Sequence, residues 1–325
     1  MKTLFITGIG GFIGARLAER ALQMGHTVRG VDLSRAAALR ARRLGVDAEC
    51  GSIEDEALMA RALRGAELVV HTAAIVKEAG RLEDFRRVNV GGTVYVARAA
   101  RAAGASIFVH LSSVMVYGFD FPELVDETGP RRGEGNAYCQ TKIESEDAVL
   151  ALNEPARFGV IVIRPGDVYG AGSEPWVTRP VEMLKRRILL LPRRGLGIMN
   201  HVYVDNLIDG IWLAIEKRAF GRAFNVTDGV ATTNREYFGK LAELAGLPPP
   251  RNAPAALLEA LGATAELARR AGLSHDPLSR DSVRYLMRPH AYSIERARRE
   301  LGYQPRIPLE KGFELIAPAV RSLVA

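Results

Sequence analysis

An apolar run, Thr3-Leu4-Phe5-Ile6-Thr7, passes through Gly8-Ile9-Gly10-Gly11-Phe12-Ile13-Gly14 into apolar side chains at helical spacing: Phe12, Ile13, Leu17, Ala18 and Leu22. A buried strand that turns at once into an amphipathic helix leaves few folds open, because that helix must pack back onto the sheet its strand enters. The glycines suit this corner. Gly8 permits a tight turn, Gly11 lets the backbone approach a pyrophosphate, and Gly14 allows close helix–strand packing. The helix start offers unpaired N–H groups and the positive end of its dipole to phosphate. The segment Gly8 to Gly14, including Gly10, Phe12 and Ile13, is therefore read as a dinucleotide cradle.

Thr27 to Asp32 reads as the second strand, and Asp32 lies 18 residues beyond Gly14. An acid there accepts hydrogen bonds from the adenosine ribose hydroxyls and would repel a 2′-phosphate, so the expected cofactor is NAD rather than NADP. Arg35 is the nearby cation that could meet a 2′-phosphate; a solvated loop arginine is the plainer reading.

Farther along, Tyr138-Cys139-Gln140-Thr141-Lys142 places a Tyr and a Lys four apart, on one face of a helix. An ammonium beside a phenol favours the phenolate, so the tyrosine pKa is expected to fall below its ordinary value near ~10. Ser113 upstream can hold a substrate oxygen while Tyr138 moves the proton. Such a device oxidises alcohols or reduces ketones with a nicotinamide cofactor.

From residue 1 to about 165, short apolar strands alternate with amphipathic helices; Val69–His71, Ile107–Leu111 and Val160–Ile163 read as further buried strands. This predicts an α/β fold, a doubly wound parallel sheet of the Rossmann type, with a smaller, helix-rich C-terminal substrate lobe. The expected division is residues 1–170 with 202–228 for the nucleotide, and 171–201 with 229–325 for the substrate. Residues 202–225 read as a return to the core, through a helix bearing Leu207, Ile211 and Ile215 and a strand at Ala223–Val226. Ligand should sit at the carboxyl ends of the strands, between the lobes.

In order and spacing these segments resemble the extended short-chain dehydrogenase/reductase family, in its NAD-dependent epimerase/dehydratase and 3β-hydroxysteroid dehydrogenase-like branches. Thr7-Gly8 to Gly14 is similar to its TGxxGxxG loop, His71-Thr72-Ala73-Ala74 to its HxAA strand end, and Asn89-Val90-Gly91-Gly92-Thr93 to NVxGT. Ser112-Ser113 with Val116-Tyr117-Gly118, Arg164-Pro165 with Val168-Tyr169-Gly170, and His201-Val202 with Asp205 continue the pattern. Gly51-Ser52-Ile53 departs from the family's G-D-[LIV], with Ser52 in place of the Asp.

The resemblance implies a catalytic set of Ser113, Tyr138 and Lys142, with Asn89 supporting helix geometry or a water. It places Ser52, Ile53, Thr72, Ala73, Ala74, Pro165, Gly166 and Val168 beside the cofactor, where Tyr138 and Lys142 also reach. Val114, Met115, Asp167 and His201 fall on substrate-facing positions. A homodimer through helices near 85–103 and 137–152 is implied as well.

Length and composition exclude several classes. The 325 residues, 48% hydrophobic and 25% charged, suffice for a full core. No apolar stretch is long enough for a membrane span. The N-terminus runs straight into the first strand, so no signal peptide is expected. Two cysteines, Cys50 and Cys139, give no disulfide framework, and no Cys/His spacing suits a metal. A reduced, cytoplasmic protein is expected. The net charge of +7 is spread along helices, which favours a solvated surface over a nucleic-acid site. Arg186-Arg187 and Arg193-Arg194 could meet an anionic tail, although surface solvation is the plainer reading. The Ala/Leu-rich stretch 254–273 is expected to be a core-packed helix of the small lobe, with a lid or a membrane-surface helix as the sharper readings.

The family that the chain resembles holds dehydrogenases, sugar-nucleotide epimerases and sugar-nucleotide dehydratases. Where 4,6-dehydratases carry an Asp-Glu pair, this chain has Val114 and Met115, which exchange no protons. Where sugar-nucleotide epimerases place an Asn, it has Asp167, and a carboxylate meets a diphosphate poorly. The expected activity is an NAD-dependent dehydrogenase on a secondary alcohol or its ketone. The alternatives are a sugar-nucleotide 4-epimerase with tightly held NAD and a non-catalytic dinucleotide-binding regulator.

Overall fold

The computed structural model describes residues 2–76, 80–133, 135–270 and 278–325. The first half alternates β1 (Thr3–Thr7), α1 (Phe12–Gln23), β2 (Thr27–Asp32), α2 (Arg35–Arg43), β3 (Asp47–Cys50), α3 (Glu56–Ala62) and β4 (Leu68–His71). It continues with α4 (Leu82–Phe85), a π-helical turn (Arg86–Gly92), α5 (Thr93–Ala102), β5 (Ile107–Leu111), α6 (Ala137–Leu150), β6 (Gly159–Pro165) and β7 (Asp167–Tyr169). Then follow α7 (Arg179–Lys185), β8 (Leu190–Leu191), β9 (Ile198–Met199), β10 (His201–Tyr203), α8 (Val204–Glu216), β11 (Arg222–Val226) and β12 (Thr232–Thr233). The chain ends with α9 (Asn234–Leu244), β13 (Arg251–Asn252), α10 (Ala255–Arg270), α11 (Arg280–Leu286) and α12 (Leu309–Val324).

Seven strands form one sheet in the order β11-β6-β5-β4-β1-β2-β3. Each adjacent pair is parallel. The order reverses between β1 and β4, which opens a crevice at their carboxyl ends. Residues alternate across the sheet as a pleated strand requires. Leu4, Ile6, Val70, Val109, Ile161 and Ile163 face the core shared with α1, α8 and the C-terminal helices. Phe5, Val69, Phe108, Val160 and Val162 face the core shared with α3 and α5. The helices cover both faces, so the strands read as continuous apolar runs in the sequence. β7 pairs with β10 outside this sheet and sets Asp167 opposite His201.

One expectation is overturned here. α10 does not present a core-packed exterior: Leu257, Leu261 and Leu267 are exposed, and Leu258 alone among its leucines is buried. Residues 271–273, which the sequence reading placed in this helix, lie outside the described residues.

Candidate active site at the sheet switch point

The glycine loop is built as a cradle. Gly8 sits at φ +68°, in the region that favours glycine. A Cβ on Gly14 would stand 2.2 Å from the Gly8 carbonyl, and one on Gly10 would stand 2.5 Å from Ala37. A side chain at Gly14 would push α1 away from the loop, and one at Gly10 would push α2 away from it. Gly11 N-caps α1 with no side-chain bond, so the first N–H groups of that helix face outward. Asp32 shapes the same corner: its carboxylate accepts from Gly10 N (3.0 Å) and Ser34 N (2.9 Å). These features fit a dinucleotide. Gly10, Gly11, Phe12 and Ile13 would hold its phosphates at the helix start, and Asp32 its adenosine ribose. Ile53 packs against Gly92, while the Ser52 hydroxyl accepts from Glu54 N (3.1 Å) within its own turn.

A buried chain of hydrogen bonds fixes the next wall. Thr93 Oγ1 donates to the Asn89 carbonyl (2.6 Å), so toward His71 Nε2 (2.9 Å) it can only accept. His71 is therefore the Nε2–H tautomer. Its Nδ1 accepts from Thr7 Oγ1 (2.8 Å), which itself accepts from Ala73 N (3.3 Å). Burial, then the nearby Lys142 charge, hold His71 down at about 3, so it stays neutral. Thr72 Oγ1 donates to the Thr7 carbonyl (2.7 Å). Residues Thr72 to Ala74 are thereby tied to the end of β1. Asn89 continues the tie: its side chain pairs with both Ile75 N (2.7 Å) and Ile75 O (3.1 Å) and donates to Thr141 Oγ1 (3.2 Å). It sits in the π-helical turn and binds β4's exit segment to α6, a positioning role.

The candidate catalytic groups lie just beyond β5 and in the first turns of α6. The Ser113 hydroxyl, which accepts from Met115 N (3.1 Å), stands near enough to Tyr138 to favour its phenolate, whereas the Ser112 hydroxyl is buried without a partner. Lys142 Nζ donates to the Leu111 carbonyl (2.8 Å) and lies 5.7 Å from the centre of the Tyr138 ring. The pKa expectation is reversed. Burial pushes Tyr138 up to about 12, against the pull of the Ser113 hydroxyl, and pushes Lys142 down to about 8, against Glu146. Desolvation outweighs the attraction between them, because the phenol and ammonium are not in direct contact. α6 itself is anchored by Glu146, whose carboxylate takes a two-point grip from buried Arg164 (2.9 and 2.6 Å).

Four residues expected to face substrate divide. Met115 clusters with Tyr138, Phe119, Cys139 and Tyr285. Val114 packs instead with Val116, Tyr117 and Tyr292. Asp167 is not open to substrate: buried at 1% exposure, it pairs with Arg288 Nη2 (2.7 Å) and accepts from Asn200 N (2.9 Å) and the Tyr285 hydroxyl. The electrostatic case against a diphosphate there lapses, since Arg288 cancels the charge. His201 is likewise structural, held by Asp228 (2.8 Å) and Thr232 (2.9 Å). Pro165 and Gly166 end β6; a Cβ on Gly166 would meet the Asn200 carbonyl at 2.1 Å, and Val168 is buried.

Tyr285 and Arg288 are the site residues the sequence reading missed. Arg288 stacks 3.6 Å from the Tyr285 ring centre, and Trp176 stacks on that ring at 5.5 Å. Asp281 on α11 accepts from the Asn136 side chain (2.8 Å), which also caps α6. The C-terminal region thus packs against Tyr138 with an aromatic, charge-cancelled wall.

A profile of the NAD dependent epimerase/dehydratase family matches residues 4–227. The chain belongs to that family. It is an enzyme of the extended short-chain dehydrogenase/reductase type, and its cofactor is NAD. The chain is 31% identical to the 3 beta-hydroxysteroid dehydrogenase/Delta 5-->4-isomerase of Mycobacterium tuberculosis, over 98% of this chain and 90% of that one. It is 29% identical to the 4-hydroxy-2-methyl-3-oxo-4-farnesyl-3,4-dihydroquinoline-1-oxide ketoreductase of Stigmatella aurantiaca, over 98% and 96%. The UDP-glucose 4-epimerase of Thermotoga maritima shares its fold, with a TM-score of 0.81, 22% identity and coverage of 99% and 100%. Among the described residues no helix is long and apolar enough to cross a membrane, and no cluster of three or more His, Cys, Asp or Glu could hold a metal.

Proposed function

We propose that this enzyme interconverts a secondary alcohol and its ketone on an apolar substrate. The observation that carries the reading is Tyr138, with the Ser113 hydroxyl near it, set among the apolar group Met115, Phe119 and Tyr285. Bound nicotinamide supplies hydride exchange with the carbinol carbon. Ser113 holds the substrate oxygen. In reduction the Tyr138 hydroxyl gives its proton to that oxygen; in oxidation the phenolate takes it back. Lys142 carries the positive charge that stabilises build-up of negative charge on Tyr138. Asn89, through Ile75 and Thr141, keeps β4's exit and α6 in register. The two relatives named for hydroxysteroid and farnesyl-quinoline substrates support an apolar substrate.

The reading includes two arrangements. Residues 1–170 with 202–228 hold NAD while 171–201 with 229–325 enclose the substrate, and two chains pair through α5 and α6. The test is NADH formation on a panel of secondary alcohols, 3β-hydroxysteroids among them, with NAD and NADP side by side and UDP-sugars as controls. Alcohol-dependent NADH that disappears in Tyr138→Phe, with NAD still bound, is the expected result. Epimerised UDP-sugar without NADH would replace the reading with a 4-epimerase, and full turnover by Tyr138→Phe would remove the assigned proton donor.

A further inference from the structure

α10 is amphipathic the wrong way round for a helix on a water-facing surface. Its inner side is fixed by Leu258, 4% exposed, and by Gly262, where a Cβ would stand 2.7 Å from the Ser279 backbone. The opposite stripe is Ala256, Leu257, Ala260, Leu261, Thr264 and Leu267, all exposed and none charged. Leu257, Leu261 and Leu267 are 51%, 44% and 69% exposed. The charges of the helix lie off that stripe; Glu266, for one, pairs with Arg280 (3.2 Å). A soluble surface helix places its charges outward and its apolar stripe inward.

The stripe has charged neighbours of one sign. β13 leads into α10 and pairs with β8, through Arg251 N to Leu189 O (3.2 Å) and Ala253 N to Leu191 O (3.1 Å). The segments flanking β8 expose Arg186, Arg187, Arg193 and Arg194, and β13 exposes Arg251. None of the five has a carboxylate partner among the described residues. Ile188 and Leu196, 51% and 55% exposed, belong to the same two segments. Arg187, Arg193 and Arg194 hold left-handed backbone at φ 57°, 49° and 57°, a conformation that non-glycine residues seldom adopt.

We infer that this face of the C-terminal region docks on the surface of an anionic lipid bilayer, with α10 lying in the interface plane. Leucines entering the acyl boundary and arginines meeting acidic headgroups are the two terms of interfacial binding. A helix of 16 residues is too short to span. A second copy would pair leucine with leucine, whereas acidic headgroups also supply the counter-charge that these arginines lack. The stripe also lacks the aromatic anchors that dominate protein interfaces.

The test is sedimentation of the full-length protein with vesicles of phosphatidylcholine alone or mixed with phosphatidylglycerol. Binding to the anionic vesicles is expected, at least about ten-fold above neutral ones and weakened by salt. Leu257→Gln/Leu261→Gln/Leu267→Gln should cut it about ten-fold or more, and Arg193→Glu/Arg194→Glu should remove the preference for anionic lipid. Retained NAD binding shows that each variant is folded, and Leu267→Gln alone, at the most exposed position, gives a weaker effect of the same sign. The inference is overturned if wild type ignores both vesicles, or if the leucine variants bind them unchanged. It is overturned too if the leucines prove instead to hold a dimer, seen as loss of self-association on sizing of the triple variant.

Discussion

Asp167→Asn tests whether the carboxylate at this position serves the fold or the substrate. The carboxylate receives three donors: Arg288 Nη2, Asn200 N and the Tyr285 hydroxyl. An amide keeps one acceptor oxygen, enough for Arg288 and Asn200 N, and turns an NH2 toward the Tyr285 hydroxyl. It also leaves the Arg288 guanidinium, 1% exposed, without a counter-charge. Removing one partner of a buried pair costs about 3–5 kcal/mol, a large share of a total stability of roughly 5–15 kcal/mol. Arg288→Met strands the carboxylate and should cost a similar amount. The double variant should be less unstable than the sum, by about 1–3 kcal/mol of coupling. Urea unfolding followed by circular dichroism gives these numbers, and Trp176 fluorescence reports on the stacked Tyr285. A cost below about 1 kcal/mol for Asp167→Asn, or strict additivity, would refute the reasoning. A loss of turnover with unchanged stability would return Asp167 to the substrate site.

Gly14→Ala should weaken NAD binding by at least about ten-fold and destabilise by about 1–3 kcal/mol, since its Cβ would meet the Gly8 carbonyl at 2.2 Å; calorimetric titration with NAD checks it. Asp32→Ala should weaken NAD and narrow its margin over NADP, and an unchanged ratio of the two affinities would take Asp32 out of cofactor choice. His71 is neutral in the fold, held near 3 against 6.5 in the unfolded chain, so the unfolded state binds the extra proton between those values. Stability should rise with pH through that window and fall on acidification, and His71→Gln should flatten the slope of urea midpoint against pH.

Much of the fold was legible because a sheet covered on both faces writes itself as apolar runs. Thr3–Thr7, Thr27–Asp32 and Ile107–Leu111 are strands with the bounds read from the sequence. The glycine loop was legible for a different reason: its contacts at 2.2 and 2.5 Å tolerate only glycine. The site was legible where chemistry needs a rare pair at fixed spacing, as with Tyr138 and Lys142. It was not legible where partners meet from distant segments. Nothing in the sequence around Tyr285 and Arg288 signals that they close on Asp167, 118 and 121 residues earlier. Asp167 and His201 sat at expected positions, yet β7–β10 pairing and buried partners absorbed their side chains. α10 misled because an Ala/Leu pattern shows that a helix has an apolar side, not which side the fold buries.

The reversed pKa order at Tyr138 and Lys142 bears on what the lysine does. With Lys142 near 8 and Tyr138 near 12, the pair loses its first proton from the lysine. A standing phenolate beside an ammonium is therefore not the resting state of this site. In the proposed reduction that is an advantage, because Tyr138 waits with the proton it must give. In oxidation Tyr138 must first lose its own proton before it can take one from the alcohol, and Lys142 favours that phenolate only while it is itself protonated, below about pH 8. In reduction the lysine acts instead on the negative charge that develops on Tyr138 as its proton leaves. Its own burial has the opposite sign in stability: an ammonium depressed from 10.5 to about 8 costs folding energy below pH 8, and that cost is relieved as pH rises toward 10.5. The fold accepts this cost in holding Lys142 beneath the tyrosine, where the Leu111 carbonyl is its hydrogen-bond partner.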